Sequence, residues 1–266
     1  MASLTKTKKV KSPAKAKKVA AKKKAVTPEV LFTAKQFIAK LNSYQSDEER
    51  EKIQQYFKSG DGQYGEGDRF MGIRMGTVFA VAKQHMNMEP EEIEKLLESP
   101  IHEIRTGGVS IMDFQARNKK TTPARRKELF DLYIERHDRI NNWDLVDRSA
   151  PYVVGGYLFD QSRTILYKLA KSKNVWERRT AIVSTYFFIR QGDVNDTFRI
   201  AELLLKDKHD LIHKAAGGWI REAGKRDRRQ LFKFLDDHAA IMPRTMLRYA
   251  IERLDKKEKE YYMKMK

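Results

Sequence analysis

Beyond about residue 30, apolar residues recur at the spacing that places them on one face of a helix. The first such pattern comprises Leu31, Phe32, Phe37, Ile38 and Leu41. Further helices are predicted over 48–57, 70–86, 89–97, 101–117, 123–138, 142–156, 162–171, 175–190, 194–206, 209–223, 227–238, 243–254 and 256–264. The only β-like run, residues 151–159, is weakened by its two glycines. The pattern therefore predicts an all-α protein.

The predicted helices follow one another through short loops, and each helix pair occupies about 35 to 40 residues. This repeat length is typical of an α-solenoid of HEAT-like antiparallel helix pairs. About five or six such pairs are expected from residue 28 onward. Periodicity alone leaves a compact helical bundle open as the alternative.

Charge divides the chain into two parts. The formal net charge is +18, and residues 1–28 hold ten lysines and no acidic residue, which leaves +8 for the remainder. Residues 1–27 are therefore expected to form a disordered Lys-rich tail. Thr27, Pro28 and Glu29 resemble a helix start, so a single folded domain is predicted over 28–266. A basic domain behind a basic tail favours a polyanionic partner such as nucleic acid.

Several classes of protein are excluded or disfavoured by composition. The chain has no cysteine, which rules out disulfides, thiolate nucleophiles and cysteine-ligated zinc. No apolar run approaches the ~18 residues of a membrane span. The positively charged N-terminus lacks the apolar segment of a secretory signal. We expect a protein that associates with no membrane.

Two short motifs resemble ligand sites but are better explained structurally. The loop Gly60–Gly65 matches G-x-G-x-x-G, but helices rather than a strand precede it, so a flexible connector is the preferred interpretation. His209 and His213 lie one helical turn apart, as in half of a zinc site, but the third ligand of a metalloprotease is missing. We expect neither a dinucleotide nor a metal at these positions.

The segment 141–147 carries a more informative pair. Trp143 and Asp147 are four residues apart, so on a helix they share one face. An indole offers its π-face to a cationic base, and a carboxylate stabilises a developing oxocarbenium ion. The alternative is structural: Asp147 pairs with an arginine while Trp143 fills the core.

Two later segments continue this arrangement at the repeat spacing. Arg178 and Arg179 lie at a helix start, and either one is suited to a phosphate contact. Gly217 and Gly218 precede Trp219 in a predicted helix, where glycines indicate close approach of another helix or of a ligand. Trp143 precedes Arg179 by 36 residues, and Arg179 precedes Trp219 by 40. In a solenoid, residues one repeat apart line the same surface.

Together these segments resemble the AlkD-type DNA alkylation repair family of HEAT-like-repeat DNA glycosylases. The similarity spans most of residues 30–255. It is carried by FMGIRMGTVFAVAK at 70–83, EIEKLLESPIHEIR at 92–105, NWDLVD at 142–147, WERRTAIV at 176–183 and KAAGGWIREAGKRD at 214–227.

The resemblance implies a DNA glycosylase that excises cationic N3- or N7-alkylated purines from double-stranded DNA without metal or cofactor. DNA would be captured on the concave surface rather than by extruding a base into a deep pocket. Asp147 would be the catalytic carboxylate, Trp143 and Trp219 would contact the lesion, and Arg179 would bind a phosphate. A monomer is expected, at the nucleoid in a bacterial cytoplasm or in a eukaryotic nucleus.

The chain departs from the family pattern at two places. Trp219 stands one residue after the usual Trp position, which Gly218 occupies, and this rotates it by about 100° on a helix. Gly76 and Phe79 replace residues that are commonly Pro and Arg in the family. The displaced Trp219 favours an alternative function, a non-catalytic HEAT-like protein that binds damaged, bent or branched DNA. Trp143 and Asp147 favour the enzyme.

Overall fold

The computed structural model describes residues 1–2 and 32–265. The Lys-rich segment and the possible helix start at Thr27–Glu29 lie outside the described residues. From residue 32 to residue 265 the chain is helical, and its β-structure is limited to one isolated bridge between Arg69 and Ile101. The all-α prediction is therefore confirmed.

Most helices begin and end close to the predicted boundaries. They are α1 (Ala34–Asn42), α2 (Asp47–Tyr56), α3 (Met75–Gln84), α4 (Pro90–Leu97), α5 (His102–Arg117), α6 (Pro123–Glu135), α7 (Trp143–Ser149), α8 (Gly156–Leu158), α9 (Thr164–Leu169), α10 (Val175–Arg190), α11 (Asn195–Leu203), α12 (Asp210–Arg226), α13 (Arg228–His238), α14 (Arg244–Ala250) and α15 (Lys256–Lys264). A 3₁₀ turn occupies His137–Arg139.

The helices form the two rows of a HEAT-like solenoid. Helices α3, α5, α7, α10, α12 and α14 form one row, here called the inner row, in which each helix packs against the next. Helices α4, α6, α9, α11 and α13 cover this row from the other side. The solenoid prediction is confirmed, and every site residue predicted from the sequence lies on an inner-row helix.

Helix α5 runs through the core, and nearly all of its residues are buried. Val109, Ile111 and Met112 supply apolar packing there. The buried carboxylate of Glu103, on the first turn of α5, accepts hydrogen bonds from the backbone N–H groups of Met71, Gly72 and Ile73 at 2.9–3.2 Å. A buried carboxylate is tolerated only with such partners, and here it holds the segment before α3 in place.

This contact explains one difference from the sequence prediction. A continuous helix over 70–86 was expected, but residues 70–74 have no regular secondary structure and α3 begins at Met75. The N–H groups that bind Glu103 point to a side chain rather than along a helix. Gly72 also has a positive φ of 77°, a conformation that favours glycine. The helical pattern of residues 70–74 is overridden by tertiary contacts.

The predicted helix over 142–156 is interrupted in its middle. Helix α7 ends at Ser149, and Ala150–Gly155 form a wider π-helical turn before α8. Pro151 has no N–H, so the carbonyl of Asp147 loses its usual partner four residues later. The β-like run at 151–159 is thus mostly helical, and the wide turn adjoins Asp147. π-Helical turns are frequent at functional sites.

None of the helices in residues 32–265 combines the length and apolar character that a membrane span requires.

Candidate DNA-binding and catalytic site

Helix α7 positions the predicted Trp143–Asp147 pair. Its N-cap is Asn142, whose side-chain oxygen accepts a hydrogen bond from the N–H of Trp143 at 2.8 Å. The amide nitrogen of Asn142 donates to the buried carboxylate of Asp68 at 2.8 Å. Asn142 thus caps α7 and also ties the start of this helix to Asp68. Trp143 and Asp147 lie one turn apart on α7 and line the same cleft.

Asp147 forms a two-point ion pair with Arg179 of α10. Nε of Arg179 donates to one carboxylate oxygen at 2.8 Å, and Nη2 donates to the other at 2.7 Å. Nη1 of Arg179 donates to the carbonyl of Leu211 at 2.8 Å. The side chain of Arg179 is only 9% exposed, whereas that of Asp147 is 36% exposed. The arginine pairing considered from the sequence is therefore present, and Arg179 is the partner.

Burial raises the pKa of the Asp147 carboxyl, while the Arg179 guanidinium opposes that shift. The pair thus holds a carboxylate at the solvent boundary with a fixed orientation. A carboxylate has about four lone-pair positions, so the two bonds to Arg179 leave acceptor capacity for a water or a ligand.

The two adjacent arginines of α10 have different environments. Arg178 donates to the carboxylate of Asp207 at 2.5 Å and to the carbonyls of Ser172 and Lys173 at 2.9 Å. Arg179 alone contacts Asp147. Of the two arginines, only Arg179 lies in the candidate site, and the assignment of the phosphate contact to Arg179 stays a prediction.

An aromatic cleft lies beside Asp147, and its lining residues all come from positions 52–148. Its volume is about 590 Å³. It is lined mainly by aromatic and aliphatic side chains, with charged groups among them: Lys52, Ile53, Tyr56, Phe57, Arg74, Met75, Phe79, Thr106, Trp143, Asp144, Asp147 and Arg148. The ring of Trp143 stacks on Phe57 at 5.7 Å and meets Tyr56 edge-on at 6.0 Å. We call this space the aromatic cleft.

A smaller pocket lies on the other side of Asp147. Its volume is about 250 Å³, and it is lined by Asp147, Arg179, Lys214, Ala215, Gly218, Trp219, Arg221 and Tyr249. Trp219 is half-buried and packs against Tyr186 with ring centroids 4.8 Å apart. We call this space the basic pocket. Asp147 lines both spaces, so the inner row brings together all four predicted residues.

The two adjacent glycines of α12 have different surroundings. A Cβ at Gly217 would lie 2.3 Å from the carbonyl oxygen of Met246. Any larger residue at this position would therefore clash with the backbone of α14. A Cβ at Gly218 would meet no atom within 4 Å and would project into open space. Gly217 is a helix contact, whereas Gly218 lines the basic pocket. Close approach of another helix therefore explains Gly217, and close approach of a ligand at Gly218 stays a prediction.

The second departure from the family pattern also lies in the site. Phe79 lines the aromatic cleft, and the guanidinium of Arg148 sits over its ring at 4.6 Å from the centroid. Arg148 also approaches the buried carboxylate of Asp113 at 3.2 Å. An arginine from α7 is thus present in the cleft, although position 79 is aromatic.

A buried ionic cluster beneath the cleft was missed by the sequence reasoning. Nε2 of His102 lies 2.8 Å from the carboxylate of Asp144, and Nδ1 lies 3.4 Å from that of Asp68. Burial opposes protonation of His102, but the two carboxylates outweigh it and raise its pKa to about 9. The imidazolium connects α5 to the first turn of α7.

Other residues of the site have a weaker signal in the sequence or none. Lys214 and Arg221 lie four residues before and three after Gly218, so helical spacing places them on the face of the basic pocket. Tyr56 and Phe57 come from α2 and the residue after it, and no local spacing connects them to Trp143. Only the tertiary structure places them there.

The histidine pair and the glycine-rich loop, which resemble ligand sites in sequence, have local structural contacts. Nδ1 of His209 accepts the N–H of Leu211, and Nε2 of His213 lies 2.6 Å from the carbonyl of Asp207. Within residues 32–265 no group of three or more histidine, aspartate or glutamate side chains could hold a metal ion. Residues 60–67 form consecutive turns between α2 and α3.

A family model and one solved structure agree with this architecture. The model of the family described as DNA alkylation repair enzyme matches residues 37–254. A structure from Enterococcus faecalis, described as a predicted DNA alkylation repair enzyme, superposes with a TM-score of 0.62 at 17% identity, covering 80% of this chain and 97% of its own. AlkD2 from Streptococcus mutans gives a TM-score of 0.45 at 17% identity, covering 84% of this chain and 100% of its own. No curated protein matches the chain.

Proposed function

Because this chain belongs to the family of DNA alkylation repair enzymes, we propose that it is a DNA glycosylase acting on duplex DNA. Its substrates would be cationic N3- or N7-alkylated purines, and the product would be an abasic site. The observation that carries this proposal is the position of Asp147. It stands at the boundary of the aromatic cleft and the basic pocket, held at two points by Arg179.

The proposed reaction does not require the protein to protonate the leaving base. An N3- or N7-alkylated purine already carries a positive charge, so it can depart without a general acid. The sugar develops positive charge as the bond to the base breaks. Asp147 would stabilise that charge and orient the attacking water, as a carboxylate does in glycoside hydrolysis.

The surrounding side chains would hold the DNA. Trp143 and Trp219, on either side of Asp147, would pack against the lesion nucleotide. Lys214 and Arg221 of the basic pocket offer cationic groups for flanking phosphates. Arg179 would add a phosphate contact only through the two N–H groups that its three hydrogen bonds leave free. Its first role would be to orient Asp147.

The test is release of base from duplex DNA that contains 7-methylguanine. Wild type should release the base, and Asp147→Asn should lower single-turnover excision by about 10²–10³, as expected for loss of a preorganised electrostatic contact. DNA affinity should change little. The matched control is Asp131→Asn on α6, an exposed carboxylate paired with Lys127 outside both spaces. This control should excise like wild type.

A non-catalytic DNA-binding function is the second candidate. Both oxygens of Asp147 accept bonds from Arg179, which is the arrangement of a structural ion pair. If wild type binds duplex DNA but releases no 7-methylguanine, this second function replaces the first. If Asp147→Asn excises as fast as wild type, Asp147 is a structural partner and another group performs the chemistry.

A further inference from the structure

The π-helical turn after α7 carries a tyrosine that holds two arginines. The guanidinium carbon of Arg117 lies 3.7 Å from the ring centroid of Tyr152. Nη1 of Arg190 donates a hydrogen bond to the hydroxyl of Tyr152 at 2.9 Å. Phe187 meets the same ring edge-on at 5.5 Å. The last residues of α5 and α10 thus place two cations on one phenol ring. We call Arg117, Tyr152 and Arg190 the arginine–tyrosine cluster.

The cluster carries more positive than negative charge. Arg117 and Arg148 share one buried carboxylate, that of Asp113, at 2.8 and 3.2 Å. Arg190 is exposed, and no carboxylate within residues 32–265 forms an ion pair with it. Three arginines with one carboxylate leave two positive charges for a ligand. Two like charges held on one ring repel each other, so an anion that contacts both is favoured.

The cluster lies on the same face of the inner row as the candidate site. Arg190 follows Arg179 by 11 residues on α10, which is three helical turns plus about 20°. Arg117 follows Thr106, which lines the aromatic cleft, by the same 11 residues on α5. Eleven residues span about 16 Å of helix. The cluster is therefore separate from the cleft and from the basic pocket, three turns further along the same surface.

We propose that the arginine–tyrosine cluster binds one backbone phosphate of the DNA, away from the lesion. Guanidinium groups suit this ligand because they bind phosphate oxygens through two parallel N–H groups. A phosphate in the basic pocket cannot reach the cluster, whereas a duplex presents phosphates on both sides of grooves about 6 and 12 Å wide. The inference rests on the proposed function only in taking DNA as the ligand. A phosphate contact carries no base information, so undamaged duplex binds there as well.

The experiment counts phosphate contacts through the salt dependence of binding. Binding of an undamaged duplex to the full chain is measured by fluorescence anisotropy from about 50 to 200 mM salt. Arg117→Gln and Arg190→Gln together should make the slope of log affinity against log salt about 0.9 less steep, the value for one phosphate. The affinity advantage of wild type should therefore shrink about 3.5-fold over this range. Asp113 keeps Arg148 as its partner, so the double variant leaves no buried carboxylate unpaired.

The matched control is Arg229→Gln with Lys233→Gln, which removes the same charge from exposed residues of α13. This control should keep the wild-type slope. An unchanged slope in the cluster variant, or an equal change in the control, would overturn the proposal. A change of about 1.8 would mean two separate phosphates and would overturn the shared site.

A single substitution keeps the test decisive if the double variant does not fold. Arg190→Gln changes only an exposed side chain and should also make the slope less steep. A wild-type slope in this variant would contradict the proposal. Undamaged DNA needs no excision, so these results are independent of whether 7-methylguanine is released.

Discussion

Removal of the Arg179 side chain tests how the ion pair supports the chemistry. Arg179→Met keeps much of the aliphatic volume but removes three donors, two to Asp147 and one to the carbonyl of Leu211. The carboxylate of Asp147 then remains with no positive partner and no fixed orientation. We expect a loss of both stability and excision.

The expected stability loss follows from the exposure of the two partners. Removing one partner of a fully buried pair costs about 3–5 kcal/mol, whereas exposed pairs contribute about 0–1 kcal/mol. Arg179 is buried, but Asp147 is 36% exposed and can recover part of its hydration. An intermediate loss of about 2 kcal/mol in the free energy of unfolding is therefore expected. Excision should fall by about 10², as for other losses of a preorganised contact.

The neighbouring arginine provides a matched control for this variant. Arg178 forms its own ion pair, with Asp207, and its side chain is 17% exposed. Because the side chain of Asp207 is only 4% exposed and recovers little hydration, Arg178→Met should lose at least as much stability in urea titrations. Single-turnover excision, measured where both variants are folded, should fall only for Arg179→Met. An equal fall for Arg178→Met would refute the assignment, because excision would then follow stability rather than the orientation of Asp147.

Two further predictions concern pH and salt. The pKa of His102 is raised to about 9 from 6.5, so its stabilising contribution is complete below pH 6.5 and is lost as pH rises through 9. Urea titrations should show that the free energy of unfolding falls by up to about 3 kcal/mol over this pH window. The His102→Gln variant should lack this pH dependence. An equal pH dependence in both proteins would contradict the charged cluster. Deletion of residues 1–26, with their ten lysines, should flatten the salt dependence of DNA binding while excision persists; an unchanged salt slope would assign the lysines another role.

Much of the fold is encoded locally and was predictable for that reason. Apolar spacing and capping residues act within a few turns, so the helix boundaries from α4 onward lie near the predicted ones. The one-turn spacing of Trp143 and Asp147 also predicts a shared helix face, which the structure has. Two segments are exceptions. The carboxylate of Glu103, some 30 residues later, determines the conformation of residues 70–74. The helix predicted over 142–156 is interrupted by the π-helical turn at Ala150–Gly155.

The chemistry around Asp147 was decided by tertiary contacts. Nothing local distinguishes Arg179 from Arg178, and only the packing of α10 against α7 gives Asp147 its partner. Tyr56 reaches Trp143 across 87 residues of sequence, so no periodicity connects them. Gly217 and Gly218 are adjacent in sequence, yet they differ by about 100° around α12. That rotation turns Gly217 toward the backbone of α14 and Gly218 toward the open basic pocket.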